Sequence, residues 1–382
     1  MERVSLQKVN TYDGDLGGAL ERLLAPLGGG SAFFKPGDRV LLKPNFIGAR
    51  TVESAATTHP ALILAVARYI KDHGCAVAVG DSPGIGAAEA VVRKLGLEDE
   101  LKRLDVPVIE LATPVPLLER RRNISFERRF MNLQVAKELD GFDRIVNLPK
   151  LKSHGQMGLT LATKNLFGCV AGHNKGRWHF AAGKDRLVFA RLLLEIALTV
   201  NPDLHILDGI VGMDGNGPSN GRPRPLHVLM AGVNPLALDR TVVELLRKRP
   251  EQFPIFEAAR AMRLSGIEWS EIVLSGEPLE VLKVDDFQIP ALLGTGIFVN
   301  QAFSRIAAKL LRQRLVLDQG ACIKCRKCEE HCPARAIVMN DRISIDEAQC
   351  ILCCCCQEFC PVGALRVSEP VTVRLLKKLK LM

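Results

Sequence analysis

Cysteine placement constrains this chain more than any other feature. Ten of its twelve cysteines fall between residues 322 and 360, and eight of the ten repeat one spacing. The first copy is Cys322, Cys325, Cys328 and Cys332-Pro333; the second is Cys350, Cys353, Cys356 and Cys360-Pro361. Three thiolates on one tight loop reach three corners of a cubane cluster, while the fourth, before proline, points away and closes a neighbouring one. The spacing predicts two [4Fe-4S] clusters with interleaved ligands.

Residues 318 to 368 resemble a bacterial two-cluster ferredoxin domain. The resemblance implies that Cys322, Cys325, Cys328 and Cys360 hold one cluster, and Cys350, Cys353, Cys356 and Cys332 the other. The halves repeat with an offset of 28 residues: Cys322-Ile323 matches Cys350-Ile351, Glu330 matches Glu358, and Ala336-Ile337 matches Ala364-Leu365. Structural zinc sites use four ligands in separate pairs and do not require this interleaved eight. Disulfides would need an oxidising compartment. Cys354 and Cys355 complete an unbroken run from Cys353 to Cys356, and they read either as alternative ligands or redox-active thiols or, more simply, as small buried apolar residues.

The cysteine module takes about fifty of 382 residues and leaves a large domain to explain. Hydrophobic residues make up 47% of the chain and no stretch of eighteen apolar residues occurs, so a core is available and a cytoplasmic location is expected. The net charge is +9. Residues 318–370 hold six Lys or Arg against eight Asp or Glu, so the excess lies in the large domain and in the tail 371–382. That distribution suits an anionic small molecule or an acidic redox partner protein. The basic run Glu119-Arg120-Arg121-Arg122 has no interleaved aromatics, which argues against nucleic acid.

Strand-length apolar stretches alternate with helical patterns through the large domain. Strands are predicted at 39–44, 76–80, 106–110, 144–148, 204–207 and 226–231, and helices at 60–71, 87–94, 131–139, 186–199 and 235–247. Such alternation implies an α/β fold, a mainly parallel sheet covered by helices on both faces, followed by the small α+β cluster module. In these sheets ligands bind beyond the carboxyl ends of the strands. The stretch from Asn147 to Gly155, continued through Thr163 to Gly168, leaves a predicted strand with three lysines, a histidine and two asparagines among glycines. It reads as a polar functional loop. Lys150, Lys152 and Lys164 are candidates to hold a carboxylate or phosphate, and His154 and Asp208 to move a proton. The loops Gly80 to Gly86 and Asp208 to Pro218 are weaker candidates; Asp208 and Asp214 in the second are possible cation ligands without EF-hand spacing.

Taken in order, KPN, THP, GDSPG, LPKLKSHGQMGLTLATKNLFG, DGIVGMDGNGPSNG and NPLALD resemble the DUF362 family of prokaryotic iron–sulfur proteins over residues 37 to 245. The resemblance implies membership and leaves the reaction open. The expected layout is an α/β domain over 1–300, a basic linker helix over 301–317, the two-cluster module over 318–368 and a basic tail over 369–382. The linker and tail are candidates for docking on the protein itself or, less favoured, on an anionic membrane surface. Three functions fit: a reductase passing electrons from the clusters to a substrate in the large domain, a plain electron carrier with a docking domain, and a metal-cofactor maturation factor.

Overall fold

In the computed structural model, which describes residues 1–116, 126–172, 174–290, 313–340 and 342–368, the large domain is built on one mixed sheet. Its strands are β1 (Glu2–Lys8), β2 (Arg39–Pro44), β3 (Ala76–Asp81), β4 (Val108–Glu110), β7 (Arg144–Leu148), β8 (Lys150–His154), β9 (Gly158–Thr160), β10 (Leu204–Asp214), β11 (Arg222–Gly232) and β12 (Ile272–Gly276); β5 (Pro114–Pro116) and β6 (Gln134–Ala136) pair separately. The order is β12-β1-β11-β10-β7-β2-β3-β4, with β8 laid on β10 and β9 on β8. From β10 to β4 all neighbours are parallel, and β11 runs antiparallel to both β1 and β10. The mainly parallel α/β architecture is therefore present.

Period-two alternation along the strands supplies both faces with apolar side chains. Val40 and Leu42 of β2 pack with helices α1 (Leu16–Leu24) and α2 (Pro60–Asp72). Leu41 and Ile145 point the other way, into a core shared with α7 (Arg186–Val200), α8 (Pro235–Leu245) and α9 (Pro254–Ala261). The remaining helices are α3 (Ala88–Lys94), α4 (Glu98–Arg103), α5 (Ala162–Asn165), α6 (Asn174–Ala182) and α10 (Leu279–Leu282). Local chemistry sets the starts: Asp185 accepts from the amides of Leu187 and Val188, and Asn234 from those of Leu236 and Ala237, ahead of Pro235 at the first helical position.

Several expectations are corrected. The helix expected over 131–139 is β6 followed by a 3₁₀ turn, Lys137–Gly141, because Leu133 and Val135 alternate inward and β6 pairs with β5. The polar loop after β7 is a strand: Pro149 interrupts the ladder without ending it, its carbonyl accepts from Asp208 N at 2.8 Å, and β8 continues along β10 in its place. The glycine loop from Asp208 is likewise the outer half of the eleven-residue β10. Gly212 is there because a Cβ would meet Leu226 Cδ1 at 2.7 Å and Leu151 O at 2.9 Å between β8 and β11.

The cysteine-rich module has two hairpin-like pairs, β13 (Leu315–Leu317) with β16 (Leu365–Val367) and β14 (Ile337–Met339) with β15 (Ile343–Ile345), and two short helices, Lys327–Glu330 and Cys355–Phe359. Residues 315–317, expected to end the linker helix, thus form the module's first strand. The rest of that helix (301–312), the tail 369–382 and the basic residues 119–122 lie outside the described residues.

Candidate functional site

The repeat folds as its pseudo-symmetry requires. Cys322, Cys325, Cys328 and Cys360 line one small cavity, and Cys332, Cys350, Cys353 and Cys356, with Cys354, line a second. Each proline-preceding cysteine crosses to the other half's cavity. Backbone amides point at the sulfurs in equivalent places: Ala336 N donates to Cys332 Sγ at 3.3 Å and Ala364 N to Cys360 Sγ at 3.2 Å. Four soft thiols with amide donors behind them are the donor set of an iron–sulfur cluster. The residues present fit that group.

Alignment of the halves explains Cys354 and Cys355, which occupy the positions of Arg326 and Lys327. Residues 323–326 of the first loop are all exposed, whereas Cys353 to Cys356 are buried against the large domain. Charged side chains there would be desolvated without partners, and small thiols avoid that cost. Gly155 closes the fit, since a Cβ at that position would stand 2.8 Å from Cys354 Sγ and 3.0 Å from Gln357 Oε1.

Helix Cys355–Phe359 and the residues just after it carry much of the module's docking. Asn220 donates to the carbonyls of Gln357 (3.0 Å) and Cys360 (3.2 Å), and Arg50 to those of Glu358 (2.9 Å) and Cys360 (3.1 Å). The side chain of Gln357 donates to Gly217 O at 3.2 Å and to the side chain of Asn216. At the centre His154 Nε2 donates to Glu358 Oε1 at 2.9 Å. His154 Nδ1 accepts the amides of Gln156 (3.0 Å) and Met157 (3.3 Å), which fixes a neutral Nε2–H tautomer. Burial, reinforced by Lys164, pushes His154 down to about 4. For Glu358, burial acts to raise the carboxyl, but the His154 hydrogen bond and the Lys164 charge outweigh it and bring it to about 2. The buried pair at neutral pH is therefore carboxylate with neutral imidazole.

Between module and sheet lies a cavity of about 1340 Å³. The large domain contributes the turn after β3 (Ser82 to Ala87), Lys152, Lys164 and the start of α6; the module contributes Glu330, Cys332, Pro333, Cys355 and Glu358. Glu330 and Glu358, the repeat-related pair, both face it. Lys175 Nζ donates to Ser82 Oγ at 2.8 Å, and burial brings its ammonium down to about 8. Burial also lowers Lys152 and Lys164; the Glu358 carboxylate opposes this in both. Phe167 stands under Lys164, its ring centroid 5.7 Å from Nζ. Cavities that take drug-sized ligands run to roughly 1,000 Å³, so this one accommodates a cofactor-sized molecule.

The candidate residues divide. Lys152, Lys164 and, behind them, His154 gather at the cavity. Lys150 and Asp208 do not: they form a buried ion pair at 2.8 Å, joined by Tyr12, whose hydroxyl donates to Asp208 Oδ1 at 2.6 Å and accepts from Lys150 at 2.9 Å. Tyr12 stacks on His59 at 3.5 Å, and the His59 amide donates to Asp208 Oδ2 at 2.9 Å. Lys150 and Asp208 satisfy each other and brace β8 against β10. Asp214 is engaged with Arg222 at 3.1 Å and with the Gln288 amide, so the two aspartates hold separate partners instead of sharing a cation. Sequence reasoning missed Lys175, Cys355 and Glu358 as cavity residues. The offset-28 match of Glu330 to Glu358 and the glycine-flanked Asn174-Lys175 carried a signal for two of them.

An α/β domain with a docked cysteine module that matches the 4Fe-4S binding domain model over residues 315–338 defines an iron–sulfur protein. The chain belongs to the family described as "Domain of unknown function (DUF362)", whose model matches residues 40–244. It is 37% identical, over 77% of its own length and 89% of the relative's, to a "Thylakoid-associated protein sll1697" of Synechocystis sp.. Among solved structures it is similar to a protein from Thermotoga maritima (TM-score 0.36, 14% identity, 57% of this chain and 56% of that one). It is also similar to the lactate racemase apoprotein of Thermoanaerobacterium thermosaccharolyticum (TM-score 0.38, 14% identity, 60% and 53%). The chain spans little more than half the length of those two. Among the described residues no helix is long and apolar enough to cross a membrane.

Proposed function

We propose that the protein is an iron–sulfur reductase in which two [4Fe-4S] clusters serve an anionic substrate bound between the module and the sheet. One cluster would be held by Cys322, Cys325, Cys328 and Cys360, the other by Cys350, Cys353, Cys356 and Cys332. Such clusters pass electrons one at a time. The observation that carries the reading is the position of Cys332, which lines both the second cysteine cavity and the large one. A ligand in the large cavity touches a cluster-bearing residue directly. Lys164 and Lys152 place their amines on the sheet side of that contact, and Lys175 adds a cation beside Ser82. The Glu358 carboxylate opposes the burial that lowers Lys164, and His154 holds Glu358 in place.

The experiment is single-turnover reoxidation. Full-length protein with reduced clusters is mixed anaerobically with a panel of carboxylate and phosphate compounds, and cluster absorbance is followed. A substrate accelerates reoxidation saturably, and Lys164→Gln raises its half-saturation concentration about ten- to a hundredfold, the value of one charge-assisted contact at about 1.5–3 kcal/mol. Acceleration that is indifferent to Lys164→Gln, Lys152→Gln and Lys175→Gln would leave a plain electron carrier as the function.

A further inference from the structure

The two copies of the cysteine loop share a spacing and have opposite surroundings. In the first, Ile323, Lys324, Cys325 and Arg326 are exposed, Ile323 at 60%. In the second, the equivalent Ile351 and Leu352 are half-buried and Cys353 and Cys354 buried. Val362, 43% exposed, joins Ile323 in the wall of the first cysteine cavity. Charge follows the same division. Three of the six Lys and Arg of residues 318–370 fall at 324, 326 and 327, although that segment as a whole is more acidic than basic. Arg326 is held by Glu329 at 3.0 Å and by Met339 O at 2.9 Å. Lys324, exposed beside the exposed Cys325, and Lys327, half-buried, have no side-chain partner among the described residues.

From this asymmetry we infer that the loop Ile323–Lys327 with Val362 is the docking surface for an acidic one-electron carrier protein, so that electrons enter through the Cys322/Cys325/Cys328/Cys360 half and leave through the half that borders the large cavity. The inference rests on the two-cluster reading above. A small apolar contact, Ile323 and Val362, rimmed by cations is complementary to a carrier with an acidic face, and electrostatic steering sets the encounter rate in such pairs. The step is a bare electron transfer: the reduced carrier loses one electron, the group held by the first four cysteines gains it, and no bond or proton changes place. At the other end, Arg326 and Lys327 are replaced in the repeat by Cys354 and Cys355, and the loop is sealed against Gly155, so no carrier reaches it.

The test uses the full chain, reconstituted anaerobically, with an acidic plant-type [2Fe-2S] ferredoxin as probe. Iron and sulfide analysis comes first, since absence of two clusters would overturn the two-cluster reading itself. Cluster reduction by the reduced probe is followed by stopped flow, and binding of the oxidised probe by calorimetry. Lys324→Glu slows the bimolecular rate about three- to tenfold at low ionic strength and weakens binding in parallel, and the difference shrinks at high salt. Arg3→Glu makes the same charge change at the end of the sheet remote from the module, Val4 pairing with Gly232 at the far end of β11, and leaves both quantities unchanged. Ile323→Ser weakens binding without altering the salt dependence. Reduction by photoreduced deazaflavin proceeds alike in all variants with the same iron content. Equal rates and affinities for Lys324→Glu and the parent protein, or equal losses in Arg3→Glu, would overturn the inference.

Discussion

Replacing Glu358 by glutamine removes a carboxylate that reaches from the module to His154 of the sheet. The Glu358→Gln side chain keeps an oxygen that can accept from His154 Nε2, which stands 2.9 Å from the native carboxylate, so what is lost is charge facing Lys164. A carboxyl moved from the ordinary 4.5 to about 2 corresponds to about 3 kcal/mol at roughly 1.4 kcal/mol per pH unit. Part of that depression needs a charged His154 and His179. These titrate only near 4 and 3 because burial disfavours their cations, so at neutral pH about 2 kcal/mol remains, carried by Lys164 and the hydrogen bond. The sign is that of a lowered carboxyl: the contribution is present above about pH 4.5 and lost as pH falls towards 2. Because Glu358→Gln keeps the hydrogen bond, it should loosen the seat of helix Cys355–Phe359 only by the Lys164 share, about 1 kcal/mol at pH 7. Hydrogen exchange reads this directly as a roughly fivefold loss of protection at the amides of Gln357 and Cys360, which bond within the helix. Unchanged protection with full cluster content would refute the assignment of an ionised anchor at this position.

Other outcomes follow from the same geometry. Gly155→Ala places a methyl against Cys354 Sγ and Gln357 Oε1, and overpacking of that kind costs about 1–3 kcal/mol, seen as a lower unfolding midpoint and earlier protease cutting between the domains. Cys354→Ala should retain about eight irons per chain, while Cys356→Ala should lose about four, measured by iron and sulfide analysis. Burial holds His154 near 4 and His179 and His205 near 3, so these three imidazoles bind about 2.5 more protons in the unfolded chain than in the native one between pH 6 and 4; His59, lowered to about 4, adds to this and Asp239, raised to about 7, opposes it. The three contribute a fall in stability with acid of about 3 kcal/mol per pH unit in that range, and urea midpoints across pH 4.5–7 check it.

Much of the fold is readable because its strands are apolar and alternate. Arg39–Pro44 and Arg144–Leu148 appear with the expected ends, and each cysteine cavity is lined by four cysteines that the ferredoxin resemblance groups together, with Cys354 added to the second. What escapes the sequence shares one cause. Lys150, Lys152 and His154 are polar enough to read as a loop, yet each has a buried partner from far along the chain: Asp208, the carbonyl of Ala56 and Glu358. Pairing across 58, 96 and 204 residues leaves no trace in local periodicity. Strand β1 alternates Val4 and Leu6 with Arg3, Ser5 and Gln7, but its place between β11 and β12 pairs it with residues far along the chain and leaves no local trace. Lys175 and Cys355 become cavity residues only once the module is seated.

The outer halves of β10 and β11 rise beyond the body of the sheet, and the turn between them offers Asn216, Gly217 and Asn220 to the module. This arm is a ruler. Its length is set by paired backbone that neither stretches nor bends easily, so in the proposed reductase the sheet would set the gap between the Cys332 sulfur and a ligand in the large cavity. Any residue that changes the bulge between Gly209 and Val211 would alter that gap without touching the cavity, and on that proposal the speed of electron passage would be inherited from the core of the large domain.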